Sequence, residues 1–242
     1  MMKDYYLDRS NMIAFLAALP QDGKDAITLY LPPDLSHEQA QSRLHAAIAE
    51  PIPPGLAEAV SGSKSGACLF WGASKVLVLP PFPVRDNAVF TGYDAGPLAG
   101  LLQRERLIGL VLVRLGAYAI GVCRGETLVT SKVGTGLVHG RHRQGGSSAA
   151  RFRRHREKQI EQFLIRVCEK VKEHLGPYLG SLDHAVYGGA WTTIELLQKE
   201  CPLLQRLEDR TLPPLLDIPD PRQPVLEASV RRLWSSRVVE WV

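Results

Sequence analysis

The residues best suited to chemistry lie in one cationic segment, 140–158, which reads GRHRQGGSSAARFRRHREK. The segment holds seven arginines and lysines against one acid, Glu157. Its glycine pair, Gly145 and Gly146, provides a backbone that can approach a ligand closely. Clustered guanidinium groups make charge-assisted, often bidentate bonds to phosphate. The segment therefore predicts a binding site for a polyanion, with nucleic acid as the first choice.

Other chemistries fit the same residues less well. Residues 134–140 (GTGLVHG) follow a predicted strand but lack the spacing of a nucleotide-binding loop. Arginines next to His139, His142 and His155 would repel a cation, so neither a metal nor another cofactor is expected. The strands of 107–133 carry Glu126 as their only acid, which disfavours a metal-dependent nuclease. A solvated helix face remains the alternative for the basic run.

The two serines after the glycine pair invite a nucleophile hypothesis. Ser147 and Ser148 lack the Gly-x-Ser-x-Gly turn that presents a catalytic serine in hydrolases. A helix-capping hydroxyl that accepts a backbone N–H is the favoured role for at least one of them.

Composition indicates a soluble globular protein. The chain has 242 residues, 45% hydrophobic content and a net charge of +4 that is concentrated around 141–158. No signal-peptide core and no membrane-length apolar run occur, so a cytoplasmic location without a membrane partner is expected. The four cysteines lie far apart, which predicts buried free thiols in a reducing compartment.

Apolar periodicity supplies the elements that must position the cationic segment. Nearly continuous apolar residues at 107–115 predict a strand covered on both faces, followed after Gly116 and Gly125 by two antiparallel strands, 117–124 and 126–133. A long helix is predicted from about 147 to 175, because its apolar residues recur at intervals of three and four. Its first turns are cationic, and its later turns are suited to packing.

The whole chain reads as α+β, with a mixed β-sheet flanked by helices and a smaller α/β N-terminal region. The predicted boundary divides 1–104 from 105–242. The N-terminal part is expected to contain a helix at 9–19, a strand at 26–31, a helix from Ser36 to about 50, strands at 66–71 and 75–79, and a helix at 97–104. The second part is expected to continue with a strand at 184–187, helices at 192–199 and 223–235, and a last strand at 237–241.

The cationic segment resembles the catalytic loop and following helix of archaeal and eukaryotic class 1 peptide-chain release factors. It resembles still more the Vms1-like release factors of ribosome quality control, including their actinobacterial and Chloroflexi branch. The hairpins 109–133, the strand ending at Gly188 and Gly189, and Leu215–Asp217 match in order, so the resemblance covers the central domain over 105–242.

The resemblance implies a loop that enters the peptidyl-transferase centre and places water on the ester between peptide and tRNA. The expected partners are the large ribosomal subunit, peptidyl-tRNA and ribosomal RNA. The residues implied at the ester are Gln144, Gly145, Gly146, Ser147 and Ser148. The RNA contacts implied by the same match are Arg141, His142, Arg143, Arg151, Arg153, Arg154 and Arg156.

The chain departs from the family's Gly-Gly-Gln pattern at the glutamine. Ser147 takes that position in a gapless alignment and Ser148 takes it in the Vms1-like pattern, while Gln144 precedes the glycines. Neither a GTPase-recruiting domain nor a stop-codon-reading motif is evident. Three functions stay open: a peptidyl-tRNA hydrolase acting on stalled ribosomes or large subunits, a non-hydrolytic ribosome-rescue factor, and an RNA- or tRNA-binding module off the ribosome.

Overall fold

The computed structural model describes residues 2–20, 25–138 and 149–241. The chain forms two compact units, one of Met1–Arg104 with Arg231–Val242 and one of Glu105–Val230. None of the helices in these described ranges has the length and apolar character needed to cross a membrane.

The first unit is built on an antiparallel sheet. Its described strands are β1 (Met2–Leu7), β2 (Ile27–Leu31), β3 (Ala67–Trp71), β4 (Lys75–Leu79), β5 (Ala88–Thr91) and β10 (Ser236–Trp241), in the order β1-β10-β4-β3-β2-β5. The helices are α1 (Arg9–Ala17), α2 (His37–Ala47), α3 (Leu56–Ser61) and α4 (Gly96–Gln103).

Alternation along the strands produces two cores in this unit, one on each face of the sheet. Leu29, Leu69 and Leu77 belong to one core, and Tyr30 and Phe70 belong to the other. Since successive side chains of a strand point to opposite faces, both faces must be covered by helices.

The start of α2 shows how local sequence sets a helix boundary. The Gln39 N–H donates to Ser36 Oγ at 3.2 Å, and the Ser36 N–H donates to Gln39 Oε1 at 3.0 Å. This reciprocal capping box satisfies two backbone donors that the helix itself leaves unpaired. The predicted start of this helix at Ser36 is confirmed, because Ser36 is its N-cap.

The second unit contains the sheet that carries the cationic segment. Its described elements are β6 (Leu107–Arg114), β7 (Ala117–Arg124), β8 (Thr127–Thr135), β9 (His184–Gly189), α5 (Ala149–Leu175), α6 (Trp191–Glu200), α7 (Pro202–Gln205) and α8 (Gln223–Leu233), with 3-10 turns at Gly176–Tyr178 and Glu208–Arg210. The helix α8 runs past Val230 into the part of the chain that belongs to the first unit.

The sheet order is β8-β7-β6-β9, with β6 and β9 parallel and the other pairs antiparallel. Left-handed glycines close the two hairpins, with φ of 97° at Gly116 and 56° at Gly125. Every β6 residue from Leu107 to Val113 is buried, which confirms a central strand covered on both faces.

The predicted fold class, a mixed sheet flanked by helices, is confirmed. Sequence analysis missed β1, β5, α3 and the short α7. It also placed the last strand with 105–242, whereas β10 pairs with β1 and β4 in the sheet of the first unit. The division into domains at 104/105 otherwise stays a prediction.

The cysteines differ from expectation. Cys168 of α5 and Cys201, which follows α6, form a disulfide with Cα atoms 5.4 Å apart. Cys68 and Cys123 are buried free thiols, as predicted. Spacing along the chain could not reveal the pair, because the packing of α6 against α5 brings together residues that are 33 positions apart.

Candidate nucleic-acid interface

Several chain connections of the second unit meet at one end of its sheet, called the loop end below. Thr135 of β8 pairs with Ala117, and the Gly136 N–H donates to Gly116 O at 2.9 Å beside the β6–β7 turn. Gly189 pairs with Val113 near the end of the parallel strand β6, so β9 ends there too. From this end the chain passes into residues 139–148, which lie outside the described residues.

Contacts of two glycines place α5 along this sheet. A Cβ built on Gly136 would lie 2.6 Å from Phe163 Cδ2, and one built on Gly109 would lie 2.9 Å from Leu175 Cδ2. Phe163 is therefore near the loop end and Leu175 is near the opposite end. The earlier part of the helix, Ala149–Gln159, precedes the packed part and is about 15 Å long at 1.5 Å per residue. We call this stretch the overhang.

Three features anchor the packed part of α5. The rings of Phe163 and Tyr118 of β7 lie 6.3 Å apart between centroids. The disulfide at Cys168 ties the helix to the end of α6. His174 Nδ1 lies 3.0 Å from Thr130 Oγ1 on the edge strand β8. These contacts hold the part of α5 that follows the overhang to the sheet and to α6.

The overhang carries all four of the described cationic residues that sequence analysis assigned to RNA. Arg151, Arg153 and Arg154 are exposed, and Arg156 is half-buried. None of the first three has an ion-pair or hydrogen-bond partner within residues 2–20, 25–138 and 149–241. Their guanidinium groups are available to an external anion.

Helical spacing distributes these charges around the overhang. Arg153 and Arg156 continue the row of Ile160, Phe163 and Val167, which packs on the core lower down. Arg151 and Arg154 lie with Lys158 on the opposite, outward row. A polyanion can therefore be contacted from more than one side of the helix.

The residues implied at the ester all fall outside the described residues, namely Gln144, Gly145, Gly146, Ser147 and Ser148. The same holds for Arg141, His142 and Arg143, and for the serine cap expected at the start of α5. Their roles stay predictions. Within the described ranges no cluster of three or more His, Cys, Asp or Glu is suited to hold a metal ion.

Two further arginines at the loop end were missed by the sequence analysis. Arg166 Nη1 lies 3.5 Å from the position of a Cβ on Gly136, and Arg114 ends β6 just before the turn at Gly116. Both side chains are exposed. The helical period of α5 was the only sequence signal for Arg166. Arg114 reaches this end only through strand pairing, so no local pattern could identify it.

Comparison with known proteins relates the chain to translation factors. Peptide chain release factor subunit 1 of Archaeoglobus fulgidus is 26% identical over 202 residues, which cover 72% of this chain and 50% of the relative. The Thermococcus onnurineus protein of the same name is 31% identical over 122 residues, covering 49% of this chain and 29% of the relative. The chain thus spans at most half the length of these two curated relatives.

A solved structure, the archaeal translation termination factor aRF1, aligns with a TM-score of 0.40 and 19% identity, covering 93% of this chain and 72% of that one. The model of the Actinobacteria/chloroflexi VLRF1 release factor family matches residues 106–239, which is more than half of the chain and includes the whole hairpin sheet with α5. The resemblance inferred from the cationic segment is thereby confirmed, and the chain belongs to the Actinobacteria/chloroflexi VLRF1 release factor family.

Proposed function

We propose that the protein is a ribosome-associated release factor that hydrolyses the ester of peptidyl-tRNA and frees nascent chains from stalled ribosomes or large subunits. The observation that carries the proposal is the overhang of α5. It is a cationic helical arm, continuous with the packed part of α5, that follows the glycine pair after two serines in a chain of a release-factor family. Such an arm suits entry into a site lined by RNA phosphates.

The chemistry assigned to the predicted loop is the attack of water on the ester carbonyl. The backbone at Gly145 and Gly146 carries no side chain, so it can approach the tRNA end. A backbone N–H in this stretch would stabilise the negative charge that develops on the carbonyl oxygen in the tetrahedral intermediate. The Gln144 amide, or the Ser147 hydroxyl, would orient the water.

A second candidate function is supported by the serine at the family's glutamine position. A loop without that amide could occupy the peptidyl-transferase centre without hydrolysis. The protein would then act in ribosome rescue by binding alone. Both functions use the same cationic arm, so binding experiments by themselves do not separate them.

Peptide release separates the two candidates. Purified 50S subunits and 70S ribosomes carrying labelled peptidyl-tRNA are incubated with the wild type, Gln144→Ala, Ser147→Ala and Gly146→Asp. We expect release by the wild type and its loss in Gly146→Asp, because the added carboxylate blocks close approach and opposes the negative charge of the intermediate. Whichever of Gln144→Ala and Ser147→Ala lowers the rate identifies the side chain that orients water.

Gly180→Asp is the matched control. Gly180 is exposed, has an ordinary φ, and a Cβ there would have no atom within 4 Å. The Gly180→Asp substitution adds the same negative charge to the same unit but outside the loop, so the rate of peptide release should be unchanged. Release by Gly146→Asp at the wild-type rate would contradict the proposal. Tight ribosome binding without release by the wild type would favour the non-hydrolytic function.

A further inference from the structure

The loop end also carries exposed residues outside the overhang, and the proposed function assigns no role to them. These residues come from different connections that strand pairing brings to one end of the sheet, and we call them the basal surface: Arg114, Leu115, Leu137, Arg166 and Trp191. The exposed fractions of the apolar members are 37% for Leu115, 73% for Leu137 and 65% for Trp191.

Trp191 is unusual among the tryptophans of this chain. Trp234 is fully buried and Trp71 is 5% exposed, whereas Trp191 exposes about two thirds of its surface at the first position of α6. No ring or cation–π contact of Trp191 occurs with any residue the structure describes. With about two thirds of its surface in water, this indole contributes little to the core.

The two arginines at the same end of the sheet, Arg114 and Arg166, also have no partner among the described residues. Neither Arg114 nor Arg166 forms an ion pair or a hydrogen bond with another residue in the described ranges. The N-cap of α6 is Ala190, which provides no side-chain acceptor for the first backbone N–H groups of the helix. Those N–H groups add a partial positive charge at the same end.

We infer that the basal surface is a second RNA contact, in which an unpaired nucleobase stacks on Trp191 while Arg114 and Arg166 bind other phosphates of the same strand. Aromatic stacking combined with cationic side chains is how proteins hold single-stranded RNA. Charge complementarity selects RNA over an apolar protein partner, because the surface is continuous with the cationic overhang through Arg166. The inference rests on the proposed function, since it names further contacts with the same class of partner.

The test uses two polyanions that differ in whether they carry bases. A fluorescein-labelled single-stranded 12-mer oligoribonucleotide and labelled heparin are titrated with the full chain at several salt concentrations, and binding is followed by anisotropy. We expect Trp191→Leu to weaken the oligoribonucleotide about fivefold or more and to leave heparin binding unchanged, because stacking is lost and charge is not. Trp191→Phe should restore most of the affinity, since a phenyl ring also stacks.

The arginine variants report phosphate contacts. Arg114→Ala and Arg166→Ala should weaken both polyanions, and each should reduce the slope of log affinity against log salt by roughly 0.7 for the oligoribonucleotide. Arg124→Ala is the matched control, because Arg124 is an exposed arginine at the opposite end of the same hairpin, paired with Leu107. It should leave binding and slope unchanged.

Several results would overturn the inference. One is equal affinity of Trp191→Leu and the wild type for the oligoribonucleotide. Another is an effect of Arg114→Ala no larger than that of Arg124→Ala. Loss of 50S binding in Trp191→Leu with unchanged oligoribonucleotide binding would instead assign the indole to a ribosomal protein.

The outcome is separable from that of the release assay. A wild type that releases peptide while its basal-surface variants bind RNA normally would refute this inference and leave the proposed function standing. A wild type that releases no peptide, while its Trp191 and arginine variants lose oligoribonucleotide binding, would support this inference and contradict the proposed hydrolytic function.

Discussion

At the scale of single residues, the loop end depends on close backbone approaches. Gly189, where β9 ends, has φ of 122°, and its N–H donates to Leu216 O at 2.9 Å. A Cβ at this position would collide with the carbonyl oxygen of Val113 on β6. Only glycine combines this conformation with this contact, so the residue sets the point where the chain turns from β9 to α6.

Gly189→Ala should therefore lower the free energy of unfolding by about 3 kcal/mol, from the unfavourable φ and the displaced β6 backbone. Urea unfolding followed by circular dichroism measures the difference. Gly180→Ala is the control, because a Cβ there meets no atom within 4 Å and φ is ordinary. Equal destabilisation by both substitutions would refute the role given to Gly189.

At the scale of elements, α5 has two parts with different physical support. From Phe163 to Leu175 its apolar row is buried, whereas no described side chain from Arg151 to Gln159 is buried. Positive charge in the first turns also opposes the helix dipole. The overhang is helical because it continues a packed helix, for which adding a residue is far easier than starting a new helix. A bound polyanion would relieve the repulsion among its arginines.

Substitutions in the two parts should differ in their effect on stability. Phe163→Ala should lower the free energy of unfolding by about 3–5 kcal/mol, because Phe163 is 2% exposed and packs against Tyr118. Arg154→Ala should change stability by less than about 0.5 kcal/mol, since Arg154 is exposed and unpaired among the described residues.

Denaturant unfolding and anisotropy with the 12-mer oligoribonucleotide distinguish the two kinds of effect. Arg154→Ala should weaken RNA binding at unchanged stability. If it instead destabilised the fold as strongly as Phe163→Ala, the overhang would be a packed element and its assignment as a binding arm would be wrong.

At the scale of the whole molecule, the two ends of the described chain meet in one sheet. β1 pairs with β10 along its whole length, from Met2 opposite Trp241 to Leu7 opposite Ser236. An ion pair joins the same strands, with Arg237 Nε 2.9 Å from Asp4 Oδ1 and Nη2 2.6 Å from Oδ2. The hydrogen bonds from Arg237 hold the pKa of the Asp4 carboxyl below its ordinary value.

This pair predicts a pH dependence of stability. Because the folded-state pKa of Asp4 is lowered, its contribution is present above the unfolded-state pKa of about 3.9 and is lost as the pH falls through the folded-state value. Asp4→Asn should cost up to about 1 kcal/mol at pH 7, since the pair is partly exposed, and almost nothing near pH 2. Urea unfolding at both pH values measures the change. A cost that is the same at both values would show that the charge is not responsible.

The sequence by itself determined those elements whose formation depends on residues close together in the chain. The long helix could be predicted because Phe163, Val167 and Val171 recur with the helical period. The hairpins could be predicted from Gly116 and Gly125. The polyanion site inferred from the charge density of 140–158 stays a prediction. Each of these signals is contained within a few turns or a single hairpin, where local sterics and periodicity decide the outcome.

Tertiary structure decided the pairings between distant segments. Placing β10 beside β1 joins residues 229 to 239 positions apart. The Cys168–Cys201 disulfide and the gathering of Arg114, Arg166 and Trp191 at the loop end likewise require the finished sheet. No local pattern encodes these contacts. They form because the apolar faces of whole helices and sheets are buried against one another. Such burial is a property of the packed molecule and not of any one segment.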